Sequence, residues 1–287
     1  MFTRHEKDSI SYYTSDLLSN YGIVHGFFTR HGGVSTGAFD SLNVSTARRD
    51  KDGNLDRPQN VYENYHLALS VLGTVPERAI GAKQVHENVV LKVENENAGH
   101  GINPHLSEMP GGDGLFLDKS AENIDVLCVK TADCVPILLS SKDGKEVSAV
   151  HAGWRGTVTD IVTKAAEKFT CDKGDILCAI GPCIGVCCYE VGEEVYDAVK
   201  RLFAAKGMEN LTDNMFRNVC TCSAETKKRA NLAEINKTLL INFGIPKENI
   251  DVSGICTACN EKEFFSHRAS GGFSGTFVSA ICRQIRN

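Results

Sequence analysis

Thr131-Ala132-Asp133-Cys134-Val135-Pro136-Ile137-Leu138-Leu139 is followed, after a polar turn, by Val147-Ser148-Ala149-Val150-His151-Ala152-Gly153-Trp154-Arg155-Gly156. Two apolar runs around Asp143-Gly144 predict a β-hairpin. With those two residues as the loop, Pro136 faces His151, and Cys134 falls on the same side two positions further along. Cys134 and His151 are then diagonal cross-strand neighbours, with Cβ atoms roughly 7 Å apart or less. A third group, His86 in Lys83-Gln84-Val85-His86, sits at the edge of another strand-like run. Two imidazoles and one thiolate are what a catalytic zinc with an open fourth position requires.

Outward from this hairpin, strands and helices interleave. A strand is expected over 22–29, a helix over 57–72, and strand character from Val89 to Val93 by alternation. Residues 94–114 are polar and rich in Gly, Asn and Pro, which reads as a long surface loop. A helix opens at Trp154 or Thr157 and runs to Phe169, a strand covers 176–180, and helices cover 190–203 and 224–243. A strand over 250–255 leads to a Gly-rich stretch at 270–275 and a final apolar segment. The fold class predicted is α/β, one layered domain of mixed sheets flanked by helices over 1–287.

Composition narrows the function classes. At 287 residues, with 42% hydrophobic and 23% charged residues, the chain is that of a soluble globular protein. A net charge of −5 argues against a general nucleic-acid binder. No apolar stretch reaches membrane-spanning length, and the start, Met1-Phe2-Thr3-Arg4-His5-Glu6, lacks a signal-peptide core, so a cytoplasmic protein is expected. The twelve cysteines are then buried apolar residues or metal ligands rather than a disulfide scaffold. Cys220-Thr221-Cys222 and Cys256-Thr257-Ala258-Cys259 form an irregular zinc-knuckle pattern, and Cys183, Cys187 and Cys188 cluster beside a turn.

Other residues bear on chemistry. Trp154-Arg155-Gly156 lies between a strand and a helix start, where backbone N–H groups and the Arg155 fork attract anions, although an ordinary turn with a surface Arg has the same pattern. Arg30 sits beside Gly32-Gly33, a pair that lets a ligand approach the backbone or simply makes a tight turn. Asp113, in Gly112-Asp113-Gly114, and Asp133 are candidates for holding a ligand imidazole or moving a proton. No P-loop, dinucleotide fingerprint, H-E-x-x-H helix or G-x-S-x-G elbow is present.

Together these strings resemble the YfiH/YlmD-like family, variously called laccase-domain proteins, polyphenol oxidases and purine nucleoside phosphorylases. The likeness runs over about 22–279. It is carried by Thr29-Arg30-x-Gly32-Gly33-Val34-Ser35, Ser41-Leu42-Asn43, Gln84-Val85-His86, Ala132-Asp133-Cys134, the His151 to Gly156 string, Ile180-Gly181-Pro182 with Tyr189-Glu190-Val191-Gly192, and Phe264-Phe265-Ser266-x-Arg268. The family pattern has Gly-Arg near the C-terminus where this chain has Gly275-Thr276. The resemblance implies a YfiH-like fold and a metal set on His86, Cys134 and His151. It also implies Arg30 as a phosphate-site residue and Asn43 as a pocket residue. The activities it implies are phosphorolysis of adenosine, inosine, guanosine and methylthioadenosine, with hydrolytic deamination of adenosine.

Residue chemistry ranks the alternatives. A multicopper laccase holds its trinuclear cluster mainly with H-x-H pairs; this chain has nine histidines and no such pair, so copper would enter by substitution for zinc. A cysteine hydrolase built on Cys134 and His151 explains two of the trio, the zinc site all three. Nucleoside chemistry with purine nucleosides and phosphate as partners therefore ranks first, with Arg30 and Arg155 on the phosphate and Asp133 shuttling protons. Amide hydrolysis on a peptidoglycan precursor ranks second, and a non-enzymatic zinc scaffold closed by Cys183 or Cys187 a distant third.

Overall fold

A computed structural model describes residues 1–107, 109–220 and 226–284. Its two six-stranded sheets stack face to face. The first runs in the order Phe2–Lys7, Ile10–Ser15, His25–Phe28, Phe277–Cys282, Val126–Thr131, Ala79–Gly81. The second runs Ile250–Val252, Ile176–Ile180, Val135–Ser141, Val147–Ala152, Gly114–Leu117, Val90–Lys92. Both mix parallel and antiparallel pairs. A third sheet joins Glu190–Val191, Thr226–Ala230 and Phe216–Cys220.

Alternation places each residue in a layer. Leu138, Val147 and Ala149 face Phe27, Leu127, Val129 and Ile281 across the space between the two sheets. On the other side of the second sheet, Ile137, Leu139, Val150 and Ala152 meet helix residues Val162, Ala165, Val199, Phe203, Ile235 and Leu239. The outer face of the first sheet is covered by Val61, Tyr65, Ala68 and Leu69 of the helix Pro58–Val71. The result is helix, sheet, sheet, helix. Because both faces of each sheet are covered, Val135 to Leu139 is a continuous apolar run rather than an alternating one. Burial of each large apolar side chain stabilises the layers by about 1.5–3 kcal/mol.

The hairpin register is the one expected: Pro136 pairs with His151, and the turn centres on Asp143-Gly144. The helices Pro58–Val71 and the strand Ile176–Ile180 also lie where the pattern put them. Other elements differ. The helix expected from Trp154 to Phe169 is two short ones, Trp154–Val158 and Ile161–Ala166, broken at Asp160 with φ 61°. The helix stops within the β-branched run Thr157-Val158-Thr159, where the Thr159 hydroxyl joins its own N–H on the Arg155 carbonyl. The helix expected over 224–243 is Leu232–Phe243, capped by the Asn231 side chain accepting from Glu234 N–H; Ala224 lies outside the described residues. The charged segment Thr226–Ala230 is a strand.

The loop over 94–114 is anchored by backbone. Gly81 N–H donates to the His100 carbonyl, and a Cβ on Gly101 (φ 71°) would stand 2.0 Å from the Gly81 oxygen. Only glycine permits that crossing. Gly101→Ala is expected to cost on the order of 2 kcal/mol or more, read as a lower urea midpoint; an unchanged midpoint would contradict the crossing.

Candidate metal centre

Each of the three ligand groups is placed by a different element. His151 is the last residue but one of the strand Val147–Ala152, on the face of Val147 and Ala149. Cys134 precedes the strand Val135–Ser141, after Asp133 at φ 85°. His86 lies on the loop between Ala79–Gly81 and Val90–Lys92, itself at φ 62°. A non-glycine residue rarely adopts that backbone, so something must hold it.

Asp113 is what holds it. Its fully buried carboxylate accepts the amides of Val85 (3.1 Å), His86 (3.0 Å) and Glu87 (2.8 Å). One of its oxygens also meets His151 Nδ1 at 2.7 Å. Burial works against the charged carboxylate, but the His151 contact and these amides bring it below the usual carboxylate range. With Nδ1 donating to Asp113, His151 keeps Nε2 for a ligand, the arrangement common to metal-bound histidines.

The donor atoms of His86, Cys134 and His151 all lie within 4.8 Å of one another, and the two imidazoles cross at 87° with centroids 5.0 Å apart. Metal–ligand bonds of about 2.0–2.3 Å require donors about that close. Burial pushes the Cys134 thiol up, but the His151 charge and hydrogen bonds from both histidines outweigh it, bringing the thiol down to about 6. Burial pushes His151 down, while the Cys134 charge and the Asp113 hydrogen bond raise it to about 9. The set fits zinc, and copper by the same soft donors. Gly153 keeps the approach clear, since a Cβ there would lie 3.3 Å from Cys134 Sγ.

Two cavities meet at the trio, sharing Arg48, His86, Ala132 and Cys134. The larger, about 670 Å³, has an apolar wall of Val44, Val61, Tyr65, Ile102 and Met109. The smaller, about 250 Å³, gathers Arg48, Arg155, His267 and Arg268 around Trp154 and Tyr189. Arg155 is exposed, with its guanidinium carbon 4.4 Å from the centre of the Trp154 ring, and its N–H groups can reach a ligand.

The remaining expected site residues are placed otherwise. Arg30 lines neither cavity; its guanidinium donates to the carbonyls of Asp40 and Glu261 and stacks on Phe265 at 4.6 Å. The glycines beside it serve chain crossings: a Cβ on Gly32 or Gly33 would lie 2.3 Å from the Ser9 or Ser41 carbonyl oxygen. Asn43 is buried in a network with Ser45, Asp56 and the Thr276 amide, and only Thr276 and Ser45 of that group reach the larger cavity. Asp133 borders the smaller cavity, but one carboxylate oxygen accepts the Thr257 hydroxyl and the other the Arg268 amide, both at 2.6 Å. Arg48 and His267, with Nη1 and Nδ1 3.5 Å apart, were not legible as site residues, because separate loops bring them together.

This geometry belongs to a known class: the chain is a member of the multi-copper polyphenol oxidoreductase laccase family, which matches residues 24–284. It is 32% identical to the purine nucleoside phosphorylase YlmD of Bacillus subtilis (strain 168), over 92% of this chain and 89% of that one. It is 34% identical to the adenosine deaminase RL5 of an unknown prokaryotic organism, over 74% and 78%. The crystal structure of the Bacillus licheniformis hypothetical protein YfiH superposes with a TM-score of 0.84 at 30% identity, covering 98% and 99%. Among the described residues no helix is long and apolar enough to cross a membrane.

Proposed function

We propose that this protein is a zinc-dependent purine nucleoside phosphorylase that also deaminates adenosine at the same centre. The observation that carries the proposal is the convergence of His86, Cys134 and His151 where a large cavity with one apolar wall meets a smaller one lined by Arg48, Arg155, His267 and Arg268. Purine nucleosides fit the first and inorganic phosphate the second; relatives named for both activities support the pairing.

Zinc held by His86, Cys134 and His151 would supply a Lewis acid at the junction of the two cavities. The chain's own groups do the rest. In phosphorolysis the bond between ribose C1′ and the purine nitrogen breaks as a phosphate oxygen bonds to C1′, so phosphate must be held beside the sugar. Arg155 and Arg48 provide the N–H donors for its oxygens, with His267 beside Arg48. Arg268 spends two donors on the Cys188 and Glu190 carbonyls and contributes charge. Asp133, with both oxygens accepting, positions Thr257 and Arg268 next to Cys134. The apolar wall of the larger cavity excludes water from the base.

Arg155→Ala is expected to raise KM for phosphate about 10–100-fold, the value of a lost charge-assisted hydrogen bond, with adenosine deamination little changed. Arg30→Ala, away from both cavities, should leave that KM alone. The deciding experiment is chromatography of products from zinc-loaded protein and adenosine, with and without phosphate. Adenine and ribose-1-phosphate formed only with phosphate establish phosphorolysis, and inosine formed without it establishes deamination. No turnover of any nucleoside despite bound zinc sinks the proposal.

A further inference from the structure

The cysteines outside the trio are not scattered. Sγ atoms of Cys187, Cys188, Cys256 and Cys259 all lie within 4.8 Å of one another. They come from two turns, one following the strand Ile176–Ile180 and the other following Ile250–Val252. Backbone bonds already lash these turns together: Cys183 N–H donates to the Ile255 carbonyl, and Thr257 N–H to the Cys183 carbonyl. Cys259 Sγ stands 3.5 Å from Cys187 Sγ and 3.4 Å from Cys188 Sγ. A disulfide would need about 2.05 Å. The sulfurs of a tetrahedral zinc site with bonds of about 2.3 Å are about 3.8 Å apart, close to what is seen.

The surroundings of the cluster also bear on its charge. Gly185 N–H points at Cys256 Sγ at 3.2 Å, a hydrogen bond that favours the anionic sulfur. A Cβ on Gly185 would press to 3.2 Å on both Cys187 Sγ and Cys256 Cβ, so a glycine leaves the sulfurs room to close. Arg229 donates to the Cys187 carbonyl at 2.7 Å and Arg268 to the Cys188 carbonyl at 3.1 Å. Two guanidinium charges thus flank a cluster that, with one Zn²⁺ displacing four thiol protons, carries two net negative charges.

We propose that Cys187, Cys188, Cys256 and Cys259 hold a second, structural zinc ion. Closed by four sulfurs, it has no open position and does no chemistry. Its effect is to clamp the two turns that bear on the reaction centre. Ile184 and Tyr189 on the first turn line the smaller cavity. Ile184 N–H and the Thr257 hydroxyl both bond Asp133, the neighbour of Cys134.

The test uses the whole chain and metal content rather than activity. Wild-type protein is expected to hold two zinc equivalents, and Cys134→Ala and the double variant Cys188→Ser/Cys259→Ser one each. X-ray absorption on the zinc of Cys134→Ala protein should show a shell of four sulfurs and no nitrogen. That variant keeps all four cysteines, so it decides the matter even if the double variant fails to fold. Absence of zinc from Cys134→Ala, a shell containing nitrogen in that variant, or a disulfide between Cys259 and Cys187 or Cys188 in anaerobically prepared protein would overturn the proposal. These results do not depend on which substrate the first centre turns over.

Discussion

Cys134→Ala is expected to lower kcat/KM for nucleoside phosphorolysis by a thousandfold or more, leaving a folded protein. A metal's Lewis acidity contributes several kcal/mol of transition-state stabilisation, and each 1.36 kcal/mol is a factor of about ten. Cys134 supplies the one anionic donor of the trio, so its loss removes both a ligand and the charge that holds a cation between two imidazoles. A thiol–imidazole nucleophile would also fail without Cys134, but it would not need His86. The pair of variants therefore separates the chemistries: His86→Ala should lose comparable activity together with metal. Both would be followed by product chromatography and metal analysis on the same samples. Near-normal turnover in His86→Ala would replace the metal reading with a cysteine hydrolase.

The second large effect is expected at Asp113. Its four donors divide evenly, with His86 N–H and His151 Nδ1 on one oxygen and Val85 and Glu87 N–H on the other. In Asp113→Asn, one of those positions becomes an NH2 that faces two donors, whichever way the amide turns. Two unsatisfied buried donors cost about 2–6 kcal/mol in all. His86 also loses the cradle that keeps its backbone at φ 62°. Metal affinity should fall about 10–100-fold, the usual loss when the partner of a ligand histidine is removed. Two measurements check this: the urea midpoint of metal-free protein and zinc affinity by competition with a chelator. A wild-type affinity in the variant would show that the carboxylate does not orient the site.

Where hydrophobic pattern and turn chemistry agreed, the sequence carried the answer. The Asp-Gly turn between two apolar runs set the register that puts Pro136 opposite His151. A slip of one residue would have separated Cys134 and His151 across the sheet. The N-terminal hairpin of Phe2–Lys7 and Ile10–Ser15 was not legible, because its first strand is an exposed edge with charges at Arg4, Glu6 and Lys7. Thr226–Ala230 hid its strand in the same way, behind three consecutive cations. Arg30, read beside a glycine pair, lies outside both cavities, and its glycines serve chain crossings. The pairing of Cys256 and Cys259 with Cys187 and Cys188 depends on two distant turns meeting, which spacing alone does not contain; Cys222 lies outside the described residues.

The crossing of Gly81 and Gly101 has a bearing on how specificity can change. A wall tied down by main-chain contacts makes little demand on those of its side chains that are exposed. Ile102, Leu106 and Met109 stand along the larger cavity from that wall. Leu106, exposed, is thus open to exchange for larger, smaller or more polar residues with little loss of architecture, whereas Ile102 and Met109 also belong to the buried core. A fixed frame with interchangeable facing is the arrangement from which new substrate preferences are most readily selected, while the reacting groups stay where they are.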